Sequence, residues 1–463
     1  MAHLKKEPGP RRRFGRSAAA ILLLSLVNGL PACGSGVVET SGSGPDETTA
    51  CAASPADHAA ACPEPCAIVV DLDLDCQDPR VATLGLSVAP APDTTWLATT
   101  TYEDRMLLSA DAAGVERVGD DVLPADMVFE WVFLALSAGG EAAMLSKTGG
   151  VGWGPTEHWG GLGEAWSRSV VQEESAPRGL EIDAAGAPHA WLELKGRKPA
   201  VATLAADGTW TTEVVALSEG EEVVDHTVTT DGQDAVFVLD GFNGDWQYRA
   251  LIGGQDQPVG AAINHPWSLG LKAARGAPTA EGPAFAAAIM HPDGIHIVYP
   301  MNGSLTEVTV PDTTLIDPKC SRLAGECGAS CSDKMTGVMR DSMALARTAD
   351  GQLWLAHVET SIDISVHYEG GCPDPEECSC ATQIDHDNGK STLHLTRIRP
   401  DGSAPQSVLA LPAARYAVEF QTFEFGADIL DVRGFGTDIA IGYLSEMPRA
   451  IRLLRIDTTK LAP

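Results

Sequence analysis

Positive charge is scarce in this chain: 32 Lys and Arg stand against 63 Asp and Glu over 463 residues, a formal charge of -31. A general nucleic-acid binder needs a basic surface to meet phosphates, so that class is excluded, and attachment to anionic lipid through basic patches is excluded with it. Sustained helical periodicity is also missing, which leaves strands as the building material. The catalytic signatures that one sequence can display are absent. There is no Gly-x-Ser-x-Gly, no His-Glu-x-x-His, no phosphate loop and no dinucleotide fingerprint. What is present is a chain with 44% hydrophobic residues, enough for a real core, so disorder throughout is excluded too.

The few basic residues are unevenly placed. Lys5, Lys6, Arg11, Arg12, Arg13 and Arg16 precede an apolar run over residues 18–27 that is too short to span a bilayer, which is the layout of an export signal. The run leads into Leu30-Pro31-Ala32-Cys33, which resembles the lipobox of bacterial lipoproteins, with Pro31 a less usual occupant of its position. The resemblance implies a signal peptide over 1–32, diacylglycerol on the Cys33 thiol, and a membrane partner held by that lipid anchor. Gly34, where an Asp signals inner-membrane retention, implies the bacterial outer membrane or the cell surface. Arg11-Arg12-Arg13-Phe14 resembles part of the twin-arginine consensus, while a plain basic segment for general export would look much the same. Cleavage before Cys33 removes those six positive charges and only one negative charge, Glu7, so the exported part is more acidic still.

Ten further cysteines, an even number, fall in three clusters: Cys51, Cys62, Cys66 and Cys76; Cys320, Cys327 and Cys331; Cys372, Cys378 and Cys380. An oxidising compartment favours disulfides, and clusters of four, three and three require at least one bridge between clusters if all ten pair. The two later triads are the obvious partners for each other. Neither contains the Cys-x2-Cys knuckle of common zinc sites. Residues 33–65 are small, polar and punctuated by Gly and Pro, which reads as a flexible tether whose far end Cys51 and Cys62 knot.

Beyond the tether the chain repeats. A short strand runs into an Asp/Gly turn and a second strand, as in residues 180–194, 227–239, 288–299 and 344–357, with weaker copies at 86–100, 133–146 and 430–444. Marked at Asp93, Gly140, Gly186, Gly232, Gly294, Gly351 and Gly436, the early copies are spaced 47, 46 and 46 residues apart, close to one four-stranded blade. The expectation is an all-β chain, a β-propeller over 66–463 with seven blades and insertions stapled by disulfides; the alternative is a pair of two-sheet sandwiches. One blade reads directly as 180–183, 188–194, 200–205 and 210–217. After a last strand at 450–456 the chain is one strand short, and 66–74 can supply it from the other end, which resembles the strand exchange that closes many propellers and removes a sheet edge.

Several groups could carry chemistry. Asp71, Asp73 and Asp75 alternate with leucines, so on a strand their carboxylates share a face that could hold calcium; Cys76 and Ala82 stand where an EF-hand needs Gly and Glu, and a solvated strand face explains them equally. Asp385 and Asp387 lie in a stretch that reads as a turn with oxygen ligands. If Asp293-Gly294 is a two-residue turn, His291 faces His296, but two imidazoles do not make a zinc site. The strongest binding candidate is the Gly-rich stretch 151–166 with Trp153, Glu157, His158, Trp159, Glu164 and Trp166, read as a loop over one propeller face that could stack sugar rings or grip a partner. Residues 206–210 only echo the Asp-box of sialidases. Glu181, Thr229, Met290 and Arg433 are expected to line the channel. No cofactor is expected. The function these readings favour is a scaffold that presents a propeller face to an envelope protein or glycan; the alternative is an extracellular polysaccharide hydrolase or lyase with carboxylates from several blades converging at the channel mouth.

Overall fold

The structure, a computed structural model, describes residues 62, 64–73, 83–101, 105–119, 123–124, 127–149, 153–162, 166–241, 245–264, 270–276, 282–314, 330–369, 381–413, 430–446 and 449–461. The first strand, β1 (Cys66–Asp73), sits in the last sheet. The next four, β2 (Thr83–Pro90), β3 (Thr95–Thr101), β4 (Arg105–Asp111) and β5 (Gly114–Arg117), form a complete antiparallel sheet. A seven-stranded sheet follows: β6 (Met127–Leu136), β7 (Ala142–Thr148), β8 (Gly154–Gly160), β9 (Ser167–Ile182), β10 (Pro188–Leu194), β11 (Lys198–Leu204) and β12 (Trp210–Val214). It is two four-stranded units sharing a strand, because the first half of β9 pairs with β8 and the second half with β10.

Strands β13 (Glu221–Val228), β14 (Asp234–Asp240), β15 (Asp245–Ile252) and β16 (Gln255–Asn264) make the next sheet. An eight-stranded sheet comes after it, from β17 (Leu271–Arg275), β18 (Ala287–His291), β19 (Gly294–Met301), β20 (Ser304–Val310), β21 (Ser330–Arg347), β22 (Leu353–Glu369), β23 (Ala381–Ile398) and β24 (Gln406–Ala413). This is again two units, joined in the sheet by a short parallel pairing of Ala274 with Leu345 and Arg275 with Ala346. Last come β25 (Leu430–Phe435), β26 (Asp438–Glu446) and β27 (Arg449–Asp457), completed by β1.

That makes seven four-stranded units. Their first strands touch in the cycle β2, β6, β9, β13, β17, β21, β25 and back to β2, a closed ring that two packed sandwiches cannot produce. The fold is a seven-bladed β-propeller.

The core lies between blades, where each sheet's alternating apolar residues meet the next sheet. The largest cluster runs through blades four to six, from Phe237 and Tyr248 through Ile289, Ile297 and Tyr299 to Leu345 and Leu355. The seam between blades three and four is much leaner: among the described residues its cluster has three buried members, Val201, Val236 and Val238. Ring closure is made by β1, which runs antiparallel to β27 from Cys66 opposite Ile456 to Asp73 opposite Ala450, with a bulge between Ile68 and Val70. Val70 is completely buried against the first blade's core. Cys62 and Cys66 form a disulfide at the entry to this strand, both buried in the cluster that joins blades six and seven. The tether's knot, expected to engage Cys62, is therefore a four-residue loop back to Cys66.

The third blade follows the sequence reading closely. The fifth departs from it. His291-Pro-Asp-Gly294 is the connection between the blade's second and third strands, and the first strand is β17, upstream. The first-to-second connection lies between Arg275 and Ala287. Met290 is consequently in β18 and fully buried away from the first-strand position assigned to it. Cys33, Cys51, Cys76, Cys320, Cys327, Cys372, Cys378 and Cys380 lie outside the described residues, and for Cys331 only the backbone, in β21, is described.

Candidate functional site: the propeller axis and its rims

The inner strands bring charged residues to the axis, and they arrive as pairs. Glu181, at the end of β9, accepts from Arg275 Nη1 and from Arg433 Nη1, each at 2.9 Å. Arg275 also reaches Asp225, whose second oxygen accepts from the Ala273 amide at 2.8 Å. Asp431, beside Arg433 at 3.9 Å, accepts from the Val88 amide at 2.9 Å and so ties blade seven to blade one. Burial alone would push the Glu181 carboxyl up; the Arg433 and Arg275 guanidiniums outweigh it and hold the group below its ordinary value. Arg275 is pushed down by burial and, more strongly, up by Asp225 and Glu181, so it stays a cation.

Arg347, at the end of β21, is different. It is buried with its guanidinium on the carbonyls of Val228, Ala284 and Gly276 at 3.3–3.5 Å, and burial lowers it to about 10. The chain closes so tightly around it that a Cβ at Gly434 would fall 1.9 Å from the Arg347 carbonyl oxygen; only glycine fits there. Glu181 and Arg433 thus stand on the axis as expected, but they plug it. Arg275, Asp225 and Arg347 escape the sequence reading. Their signal was present in a chain poor in cations: the inner strands of three successive blades carry an Arg, in 271–275, 344–347 and 430–433.

Antiparallel meanders send the first-to-second and third-to-fourth turns to one rim and the second-to-third turns to the other. On the first rim, Thr229-Thr-Asp-Gly-Gln233 and Thr348-Ala-Asp-Gly-Gln352 build the same unit. In each, the threonine hydroxyl donates to the aspartate, at 2.5 and 2.6 Å, and the glutamine amide donates to its other oxygen, at 3.0 and 2.9 Å. Thr229 therefore belongs to a turn network and Asp231 is not a free carboxylate. A shallow cleft of about 390 Å³ opens on this rim between blades four and five, lined by Thr229, Asp231, Phe285 and Leu305 among others.

The middle of the Trp-rich segment, expected as a loop, is a strand. β8 crosses the second blade from rim to rim, with Trp153 preceding it at 37% exposure, while Glu157, His158 and Trp159 are buried within the blade. Trp159 Nε1 donates to Ser146 Oγ at 3.1 Å and its ring packs edge-on against Trp166, with Arg168 over its face. Glu157 pairs with Arg168, and burial lowers His158 to about 4, so its imidazole is neutral. The glycines concealed the strand pattern. Glu164 lies outside the described residues. Of the six binding candidates, only Trp153 offers an open aromatic face.

The acidic stretches fare similarly. Asp71 has its side chain buried on β1 and pairs with Arg452 at 3.4 Å, Asp73 is the strand's last residue, and Asp75 lies outside the described residues. Asp385 and Asp387, expected in a turn, pair with Ser365 and Asp363 as part of the long strand β23.

The lean seam between blades three and four holds polar groups instead. Asp234 accepts from His189 Nδ1 at 3.0 Å and from His226 Nε2 at 2.7 Å, and His189 Nε2 lies 3.5 Å from Asp183. Burial works to lower His189, but Asp234 and Asp183 outweigh it and raise the imidazole above its ordinary value. Asp234, which burial would raise, is held far below the carboxylate range by the two imidazoles.

No family model and no curated protein matches this chain. Among solved structures it is similar to a puromycin-hydrolysing peptidase of Mycobacterium tuberculosis (TM-score 0.47, 11% identity), over 82% of this chain and 52% of that one, so it spans about half that protein's length. It is also similar to YCF48 bound to D1 peptide (0.40, 12%, 84% and 98% of the two chains). A third similarity is to the Cps50 (Swd1) β-propeller domain of Myceliophteria thermophila (0.40, 10%, 84% and 99%). The blade count rests on the strand pairing itself.

Proposed function

We propose that this chain is an exported, lipid-anchored envelope protein whose propeller is a binding platform for a protein or glycan ligand and performs no catalysis of its own. The observation that carries this reading is the occupied axis. Acid/base chemistry on a sugar or peptide needs a carboxylate or imidazole free to exchange a proton with substrate. Glu181 and Asp225 are instead bound by Arg275 and Arg433, and Asp231, in the cleft on the first rim, is held by its own turn. What faces outward is a strongly acidic surface with an exposed tryptophan at one rim, which suits a neutral or basic ligand.

The test is incubation of the purified full chain with envelope polysaccharides and peptides, followed by product analysis and co-sedimentation. Retention of a ligand without new reducing ends, unsaturated sugars or shorter peptides is expected. Cleavage that rises with protein concentration would overturn the reading in favour of a hydrolase or lyase.

A further inference from the structure

The turn that displaced the fifth repeat carries a ligand set of its own. β18 ends on His291 and β19 begins on Gly294, so the turn residues are Pro292 and Asp293. With Ile289 opposite His296 and His291 opposite Gly294, the two histidines are diagonal neighbours on one face of the hairpin. Their rings stack, with centroids 4.0 Å apart and planes 13° from parallel. Asp293 is the third ligand that the sequence alone does not bring in: its carboxylate lies 3.1 Å from His296 Nε2. One ligand atom from each of His291, Asp293 and His296 falls within 4.8 Å of the other two. A fourth group comes from the neighbouring strand, where Glu307 lies 2.5 Å from His296 Nδ1.

Two observations separate this cluster from an ordinary polar turn. His291 is 8% exposed, and its Nε2 is buried with no hydrogen-bond partner. Leaving such a nitrogen buried without a partner is unfavourable, and a cation at that lone pair removes the penalty. His296 has carboxylates at both nitrogens. If Nδ1–H donates to Glu307, the Nε2 lone pair faces the Asp293 carboxylate, and two acceptors at that distance need a cation or a proton between them. Carboxylate, imidazole and metal in line is the arrangement by which an outer carboxylate fixes the tautomer of a metal ligand.

The turn is also held in place. Gly294 adopts φ +145°, and the Ile295 amide donates at 2.8 Å to Thr313 Oγ1, which in turn donates to the Val310 carbonyl at 2.7 Å.

We propose that His291, Asp293 and His296 bind a borderline divalent transition metal of the zinc class, with Glu307 orienting His296 from behind. Two imidazoles and one carboxylate select zinc, cobalt, nickel or copper over the all-oxygen demands of calcium and magnesium. Asp293 is exposed, so the remaining coordination position faces solvent and accepts water or a donor from a bound partner. The site lies on the same rim as Trp153, because both belong to second-to-third-strand connections. It does not depend on the platform reading.

The experiment uses the full chain, stripped with a chelator and titrated with Zn²⁺ by calorimetry, with Co²⁺ absorption as the second readout. One equivalent is expected to bind at micromolar concentration or tighter. His291→Gln and Asp293→Asn should each weaken it at least tenfold, and Glu307→Gln about tenfold. The Co²⁺ complex should show visible bands without thiolate charge-transfer absorption. Asp293→Asn changes one exposed turn residue to another good turn former, so loss of binding there is not a folding defect. Undiminished affinity in both ligand variants would overturn the site, as would a cobalt signal of thiolate character alone or no binding by the unaltered chain.

Discussion

Glu181 accepts from two arginines at the centre of the ring, and its removal would leave Arg433 buried with Asp431 as its nearest acid. Breaking a buried charge network by deleting one partner typically costs about 3–5 kcal/mol. Glu181→Ala should therefore lower the urea midpoint by that equivalent with an unchanged slope, and a midpoint equal to that of the unaltered chain would contradict the network's role. The His189–Asp234 group gives a pH prediction. His189 is raised above 6.5, so its contribution is full below that value and fades as pH rises through the folded pKa. Asp234 is depressed below 3.8, so its contribution is full above that value and fades as pH falls through the folded pKa. The pair stabilises the seam most between about pH 4 and 6.5. Melting temperature should be higher at pH 6 than at pH 8, and Asp234→Asn should shrink that difference; an unchanged difference in the variant would assign the pH effect elsewhere.

At the level of strands and blades, closure depends on β1. Val70→Asp would place a charge in the core between the last blade and the first, so it should cost about 3 kcal/mol or more and open the ring to limited proteolysis near residues 66–73. Protease resistance equal to the parent chain would count against closure through this strand. The closing strand and the third blade were legible because both announce themselves locally, through alternation and Gly turns. The fifth blade was not. His291-Pro-Asp-Gly294 has the same turn chemistry as the first-to-second connections around Gly232 and Gly351, and only pairing with β17 shows it to be the next turn along. The Trp segment failed for the opposite reason, since its glycines look like a loop while Thr156, Glu157, His158 and Trp159 pair with β7. The axial ion network and the Glu307 contact each join residues from separate strands, and a single sequence carries no record of which strands face each other.

Across the whole molecule, charge and topology divide the labour. Arg275, Arg433 and Arg452, three of the few cations, are drawn inward to Glu181, Asp225 and Asp71, while Lys195 and Lys460 stay exposed in a chain whose acids outnumber its cations by 63 to 32. A ligand approaching such a chain must tolerate negative potential, so binding to a basic protein should weaken as salt rises, and insensitivity to salt would point to contacts made by apolar groups alone. The most direct measurement is crosslinking of the full chain in intact cells followed by mass spectrometry, comparing the unaltered protein with Trp153→Ala. A reproducible partner that is depleted in the variant is the result expected of a binding platform. No partner above background, together with turnover of an envelope polysaccharide by the purified chain, would contradict it.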